Sequence, residues 1–139
     1  MRPGCGAAYD GKKRGRIINI SSVSAKRPGP LQSAYAASKH GLIGLTQVWC
    51  QELGGHDITV NAVCPGFIDS NMWTDHLSPA YAEWVGTTPD KLLNAAAETW
   101  MALKRPQTPE DIGKAVAFLA MADNISGEAV VVDGGYSMH

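Results

Sequence analysis

Two side chains in this sequence stand where they can move a proton together. Tyr35 and Lys39 are four residues apart in a stretch rich in Ala and Leu, and on a helix that spacing brings both onto one face. A tyrosine hydroxyl is a weak acid, with an unperturbed pKa of ~10, and an ammonium a few ångströms away stabilises its phenolate. Such a pair is a workable general acid and base. The spacing alone says little, because Tyr9 and Lys13 repeat it. That second pair brackets Gly11 in a segment without periodicity and reads as accidental.

The elements that would position the first pair follow from the surrounding pattern. Ala34 to Leu53 reads as a long helix ended by Gly54-Gly55. Stepping 100° per residue puts Tyr35, Lys39, Leu42, Thr46, Trp49 and Leu53 on one stripe. A second stripe, Ala37, Gly41, Gly44 and Val48, is made of small side chains. Glycine inside a helix costs about 1 kcal/mol relative to alanine, so this stripe predicts a close backbone neighbour; glycines simply facing solvent are the alternative. Before the helix, Arg16 to Ile20 is an apolar, β-branched run stopping at Ser21-Ser22, which predicts a strand buried on both faces of a parallel sheet. After it, Ile58 to Val63 predicts a second buried strand, with Pro65 forbidding its continuation beyond Cys64-Pro65-Gly66.

Phe67 to Lys104 begins irregularly and then predicts a short helix around Pro79 to Val85 and a longer one from Pro89 to Leu103, with Thr88 as N-cap. Thr108-Pro109-Glu110-Asp111 opens a helix running to about Met121, with cap, proline and acidic first turn in order. Glu128 to Val132 predicts a third strand, from which Asp133-Gly134-Gly135 turns the chain away. Strand, helix, strand, helices, strand is the order of an α/β domain with parallel neighbours.

Composition narrows the function classes. The 139 residues carry 12 Lys plus Arg against 13 Asp plus Glu, a net charge of −1, which argues against a generally nucleic-acid-binding or membrane-surface protein. Seven basic residues fall among the first 27 against Asp10 alone, leaving five basic and twelve acidic in the remainder. Residues 1–14 read as a flexible, solvated basic arm, since no series of aromatic residues interleaves with the charges as nucleic-acid stacking would want, Tyr9 standing alone. Cys5, Cys50 and Cys64 are too few and too scattered for a disulfide framework, which fits a reducing, cytoplasmic setting. The longest apolar stretch, Ala115 to Ala122, is far below the ~20 residues of a membrane span. His40, His56, His76 and His139 show no metal-ligand spacing, and no metal is expected.

Four segments in order resemble the short-chain dehydrogenase/reductase family over nearly all of residues 15–136. Arg16-Ile17-Ile18-Asn19-Ile20-Ser21-Ser22 looks like the strand delivering its catalytic serine, with Ser22 thirteen residues before Tyr35. Tyr35-Ala36-Ala37-Ser38-Lys39 looks like its Tyr-x-x-x-Lys segment, Asn61-Ala62-Val63-Cys64-Pro65-Gly66 like the next strand and its Pro-Gly turn, and Val131-Val132-Asp133-Gly134-Gly135 like the final strand. The resemblance implies an oxidoreductase that transfers hydride between NAD or NADP and a small alcohol or carbonyl substrate. Tyr35 would be the acid/base, Lys39 would stabilise its phenolate and bind the nicotinamide ribose, and Ser22 would hold the substrate oxygen. Pro65, Gly66 and Ile68 would meet the nicotinamide, Ile68 through its main chain, and Ser70 stands where the family usually has threonine. The bland alternatives are a turn role for Ser22 and an exposed helix position for Lys39.

Residues 67–104 correspond to the family's variable substrate lid. Its Trp73, Tyr81, Trp84 and Trp100 either line a substrate pocket or pack the lid, and the segment leans toward acetoin/diacetyl, polyol and sugar-alcohol members. The family's glycine-rich phosphate turn, its NAD-or-NADP selecting residue, its Asn-Ala-Gly strand and its catalytic asparagine have no counterpart here. Gly4-Cys5-Gly6 follows no strand, and Asn19 is misplaced to substitute for the asparagine. The expectation is therefore the C-terminal catalytic half, residues 15–139, of a doubly wound parallel-sheet Rossmann domain, with about three strands and three to four helices. Independent activity would then be doubtful, the alternative being a catalytically silent fragment that acts by associating with another chain. An open edge at the first strand would favour pairing with a missing N-terminal half, and the small-residue stripe would favour homo-oligomers.

Overall fold

Every residue of β2, Ile58–Pro65, is buried, and the rest of the molecule is arranged around that strand. In the computed structural model, which describes residues 14–70 and 78–138, β2 lies between β1, Gly15–Ile20, and β3, Ala129–Val132, all three parallel. The register pairs Ile17 with Val60 and Ile20 with Val63 on one side, and Val63 with Val130 on the other. Residues 1–13, which hold nearly all of the expected arm with Cys5, Tyr9 and Lys13, lie outside the described residues, as do Trp73, His76 and His139. The alternation of β2 sends Ile58 and Val60 to one face and Val63 to the other.

The two faces are covered by different helices. Leu53 of α1, Ser33–Leu53, packs with Ile58, Val60, Ile17 and Trp49. Ile112 and Leu119 of α4, Pro109–Met121, pack with Val63, Ile18 and Val130. Burying each such aliphatic side chain contributes about 1.5–3 kcal/mol, so these clusters anchor both helices to the sheet. Between them α2, Ser78–Val85, and α3, Pro89–Trp100, form a separate hairpin around Ala82, Leu92 and Leu93. That hairpin is tied to the body by Phe67 and Tyr81.

Local signals act where the sequence puts them. Thr108 and Asp111 form a reciprocal capping box at α4, with Pro109 at its first turn. Pro89 opens α3 after Thr88, although the Thr88 side chain makes no capping hydrogen bond. That helix ends at Trp100 rather than Leu103, because Met101 turns extended and the Leu103 N–H leaves to meet the Gly134 carbonyl.

Three expectations need correction. The expected run Ile58 to Val63 is two residues short: β2 ends at Pro65, which pairs with Val132, and the ladder closes through the Gly66 N–H donating to the Val132 carbonyl at 2.9 Å. β1 is half-buried rather than buried on both faces, since β2 is its only partner among the described residues and Ile20 is 47% exposed. The small-residue stripe of α1 meets no close backbone within this chain: Ala37, Gly41, Gly44 and Val48 are exposed, and no described heavy atom lies within 4 Å of a Cβ built at either glycine. The opposite stripe faces inward, with Thr46 and Leu53 buried. No described helix is long and apolar enough to cross a membrane.

Candidate active site

The site is assembled where β1 and β2 end. Ser22 follows β1 and caps a single 3-10 turn, Val23–Ala25, its hydroxyl oxygen accepting from the Ser24 N–H at 3.1 Å. That leaves the hydroxyl proton for a second acceptor. The adjacent Ser21 donates to the Lys39 carbonyl at 2.8 Å, and its N–H donates to the Val63 carbonyl at 2.8 Å. One short segment thereby fixes β2 and the second turn of α1 against each other.

On α1, Tyr35 and Lys39 share the inward stripe. The Lys39 Nζ donates to the Ile20 carbonyl at 3.1 Å and lies 5.6 Å from the centroid of the Tyr35 ring, within cation–π range. The Ile20 carbonyl thus anchors the ammonium on the strand end, beside the phenol ring. Further along the helix, Thr46 accepts from the Asn19 side chain at 2.9 Å and donates to the Leu42 carbonyl at 2.7 Å, which fixes α1 on β1.

The third component is the turn leaving β2. A Cβ added at Gly66 would lie 2.5 Å from the Gln107 Oε1, 2.7 Å from the Asp133 Cβ and 2.8 Å from its Cα, so only glycine fits. Ile68 pairs across to Gln107 in an isolated parallel bridge, using the Phe67 carbonyl and the Asp69 N–H. In such a bridge the central residue's own N–H and carbonyl face away from the partner. Asp133, buried after β3, accepts from the N–H groups of Gly135 at 3.0 Å, Tyr136 at 3.3 Å and Ser137 at 2.7 Å.

A cavity of about 300 Å³ joins these pieces. Ser22, Tyr35, Lys39, Pro65, Gly66, Ile68 and Ser70 all line it, so the residues singled out from three separate sequence segments meet around one space. Sequence reasoning missed the Ile20 carbonyl that holds Lys39, for which no side-chain signal exists, and Gln32 and Phe67, which share the wall. Phe67 follows Pro65-Gly66 directly and could have been included on that ground. Behind the cavity, burial pushes the Cys64 thiol pKa up, against a smaller opposing pull from Ser21 and the charges of Lys26 and Lys39. Cys64 is thus a buried thiol. Among the described residues no cluster of His, Cys, Asp and Glu could hold a metal ion; His40 instead bonds the Ala36 carbonyl one turn back.

A second cavity, of about 270 Å³, shares Val23, Ser24, Gln32 and Phe67 with the first. Tyr81, Trp84 and Trp100 line it, so three of the four lid aromatics face a cavity; Trp73 is not among the described residues.

Comparison with known proteins bears on what such a site belongs to. A family profile described as enoyl-(acyl carrier protein) reductase matches residues 7–137. A short-chain dehydrogenase/reductase of Armillaria gallica is 44% identical over 125 residues, covering 88% of this chain and 46% of that protein. The crystal structure of sorbitol-6-phosphate 2-dehydrogenase from Erwinia amylovora superposes with a TM-score of 0.85 at 35% identity, over 94% of this chain and 51% of the other. A variant of actinorhodin polyketide ketoreductase solved with NADPH gives 0.82 at 30% identity, over 93% and 49%. The chain spans about half the length of the curated relatives it matches. With a profile match over nearly the whole sequence and the parallel α/β architecture in place, the chain belongs to the short-chain dehydrogenase/reductase family.

Proposed function

We propose that the Ser22, Tyr35 and Lys39 cavity is the proton-transfer centre of an NAD- or NADP-dependent oxidoreductase acting on an alcohol or carbonyl. The observation that carries this reading is the meeting of a hydroxyl, a phenol and an ammonium in one cavity with the Pro65 to Ile68 turn. NADPH accompanies one of the similar structures. The fit of a nicotinamide rests on Ile68. Its main-chain donor and acceptor both face away from the Gln107 bridge, a pair that complements the carbonyl oxygen and one of the two N–H groups of a carboxamide. Pro65, Gly66 and Ser70 complete that wall, and Lys39 would hold the ribose hydroxyls.

When bound, the cofactor supplies or accepts the hydride. Everything else falls to this chain. In the reducing direction Ser22 donates a hydrogen bond to the substrate oxygen, which stabilises the charge developing there as the carbonyl is reduced. Tyr35 gives its hydroxyl proton to that oxygen, and Lys39 stabilises the resulting phenolate until a proton returns. In the oxidising direction the phenolate removes the alcohol proton.

Oxidation of NADPH or NADH followed at 340 nm with a carbonyl substrate tests the reading. Turnover that falls by roughly 10²–10⁴-fold in Tyr35→Phe, as loss of a general acid requires, supports it. An active Phe variant would remove Tyr35 from the chemistry. A second reading, in which the chain works only when another segment pairs along β1, is favoured by the half-buried strand and the exposure of Ile20. Micromolar binding of NADH or NADPH by this polypeptide alone would sink it.

A further inference from the structure

The second cavity differs in chemistry from the first. Phe67, Trp100 and Tyr136 form one wall, Phe67 and Tyr136 meeting edge to face at 5.0 Å and Trp100 lying 6.3 Å from Phe67 and 6.5 Å from Tyr136. Tyr81 and Trp84, edge to face at 6.4 Å, come from α2. Arg27 is the only charged side chain among the described lining residues, and its guanidinium lies 4.3 Å over the Tyr136 ring while also bonding the Tyr136 carbonyl.

Two polar groups of that wall are already engaged within the chain. The Tyr81 hydroxyl donates to the Pro30 carbonyl at 2.6 Å, and the Gln32 side-chain oxygen accepts from the Gly29 N–H at 3.2 Å. A polyol placed here would exchange much of its water shell for aromatic faces, which offer its hydroxyls no strong partner. A planar apolar group would meet rings on two sides, in the offset and edge-to-face arrangements that aromatic pairs favour.

We propose that this cavity receives an aryl or comparably flat, apolar substituent of the substrate, so that the substrate class is aryl-bearing ketones and their secondary alcohols rather than acetoin, polyols or sugar alcohols. The inference rests on the proposed proton-transfer site, because the shared walls at Val23, Ser24, Gln32 and Phe67 set the carbonyl end beside Ser22 and Tyr35 and the ring beyond Phe67. The volume, about 270 Å³, is near the lower end of the ~300–1,000 Å³ usual for small-molecule pockets and suits one ring system.

Ligand-observed NMR titration of the chain with 2-acetylnaphthalene, acetoin and sorbitol reads this without turnover or cofactor. The naphthyl ketone should bind at least about tenfold more tightly than either of the others, with intermolecular NOEs to the Trp100 and Tyr136 rings. Trp84→Ala and Trp100→Ala should each weaken it roughly three- to tenfold, the size of one lost aromatic contact, and leave acetoin unchanged. NOEs measured in the unaltered chain keep the test decisive if either variant unfolds. Equal or tighter binding of sorbitol or acetoin, an absence of naphthyl binding, or NOEs elsewhere would overturn the proposal. Turnover of polyols without naphthyl binding would overturn it alone, whereas naphthyl binding at these rings with an active Tyr35→Phe would overturn only the proton-transfer reading.

Discussion

Replacing Gly66 by alanine adds a single methyl group where the structure has no room for one. Carbon atoms pack best about 3.5–4.0 Å apart, yet the new Cβ would stand 2.7 and 2.8 Å from the Asp133 Cβ and Cα. Gln107, whose Oε1 would lie 2.5 Å away, is 3% exposed and has little space to swing into. Asp133 cannot yield cheaply either, because its carboxylate holds the N–H groups of Gly135, Tyr136 and Ser137. Relief therefore requires β2 and β3 to part near their ends, which stretches the Gly66 to Val132 hydrogen bond. Overpacking of this kind costs about 1–3 kcal/mol and the hydrogen bond about 1 kcal/mol more, for a loss of about 2–4 kcal/mol. Urea unfolding followed by circular dichroism measures it, and thermal unfolding should show a fall of roughly 10 °C. Gly113→Ala is the matched control: it lies inside α4 with nothing within 4 Å of its Cβ, so the same methyl should stabilise by up to about 1 kcal/mol. A Gly66→Ala protein within about 0.5 kcal/mol of the parent would refute the reasoning.

Three further outcomes are expected. Asn61→Ala should cost roughly 2 kcal/mol in the same assay, because the buried Asn61 side chain is the partner of the Ile125 carbonyl at 2.7 Å and the Glu128 N–H at 3.1 Å, both only partly open to water; a loss below about 0.5 kcal/mol would contradict this. Arg105 and the Thr108 backbone hold the Asp111 pKa down to about 2 from the ordinary 3.8, so its contribution is present above pH 3.8 and disappears as pH falls towards 2; the stability gap between parent and Asp111→Asn should close over that window, and a gap independent of pH would contradict it. Homo-oligomerisation through the exposed Ala37, Gly41, Gly44 and Val48 face of α1 is the expectation, so Gly44→Leu should lower the sedimentation coefficient, and unchanged sedimentation would remove that face.

The elements most legible in the sequence are those whose signal is local. The capping box at Thr108 needs only four residues, and the burial of β2 follows from its β-branched Ile58, Thr59, Val60 and Val63 in a segment without a charged residue. The inward stripe of α1 is equally plain, since periodicity fixes which residues share a face. Errors arise where a partner strand decides. Pro65 does end β2, but because the next residue donates to Val132 the strand reaches two residues past the β-branched run. β1 carries the composition of a fully buried strand, yet burial depends on neighbours on both sides. The same limit governs the site. Tyr35 and Lys39 stand out once their spacing is read together with the Ser22 strand and the Pro65-Gly66 turn, whereas the aromatic cavity draws Phe67, Tyr81, Trp100 and Tyr136 from four separated segments, and no periodicity links them.

The nicotinamide end of the cofactor is the simplest probe of the central claim, because it asks nothing of a pyrophosphate or adenine site. NMR titration of the chain with reduced nicotinamide mononucleotide should shift the resonances of Tyr35, Lys39 and Ile68 together, with the Ile68 amide moving as its N–H gains an acceptor. Shifts that saturate with one common constant and vanish beyond the cavity are the predicted result. No shift at roughly 10 mM ligand, where even millimolar binding registers, or shifts confined to other surfaces, would contradict the account.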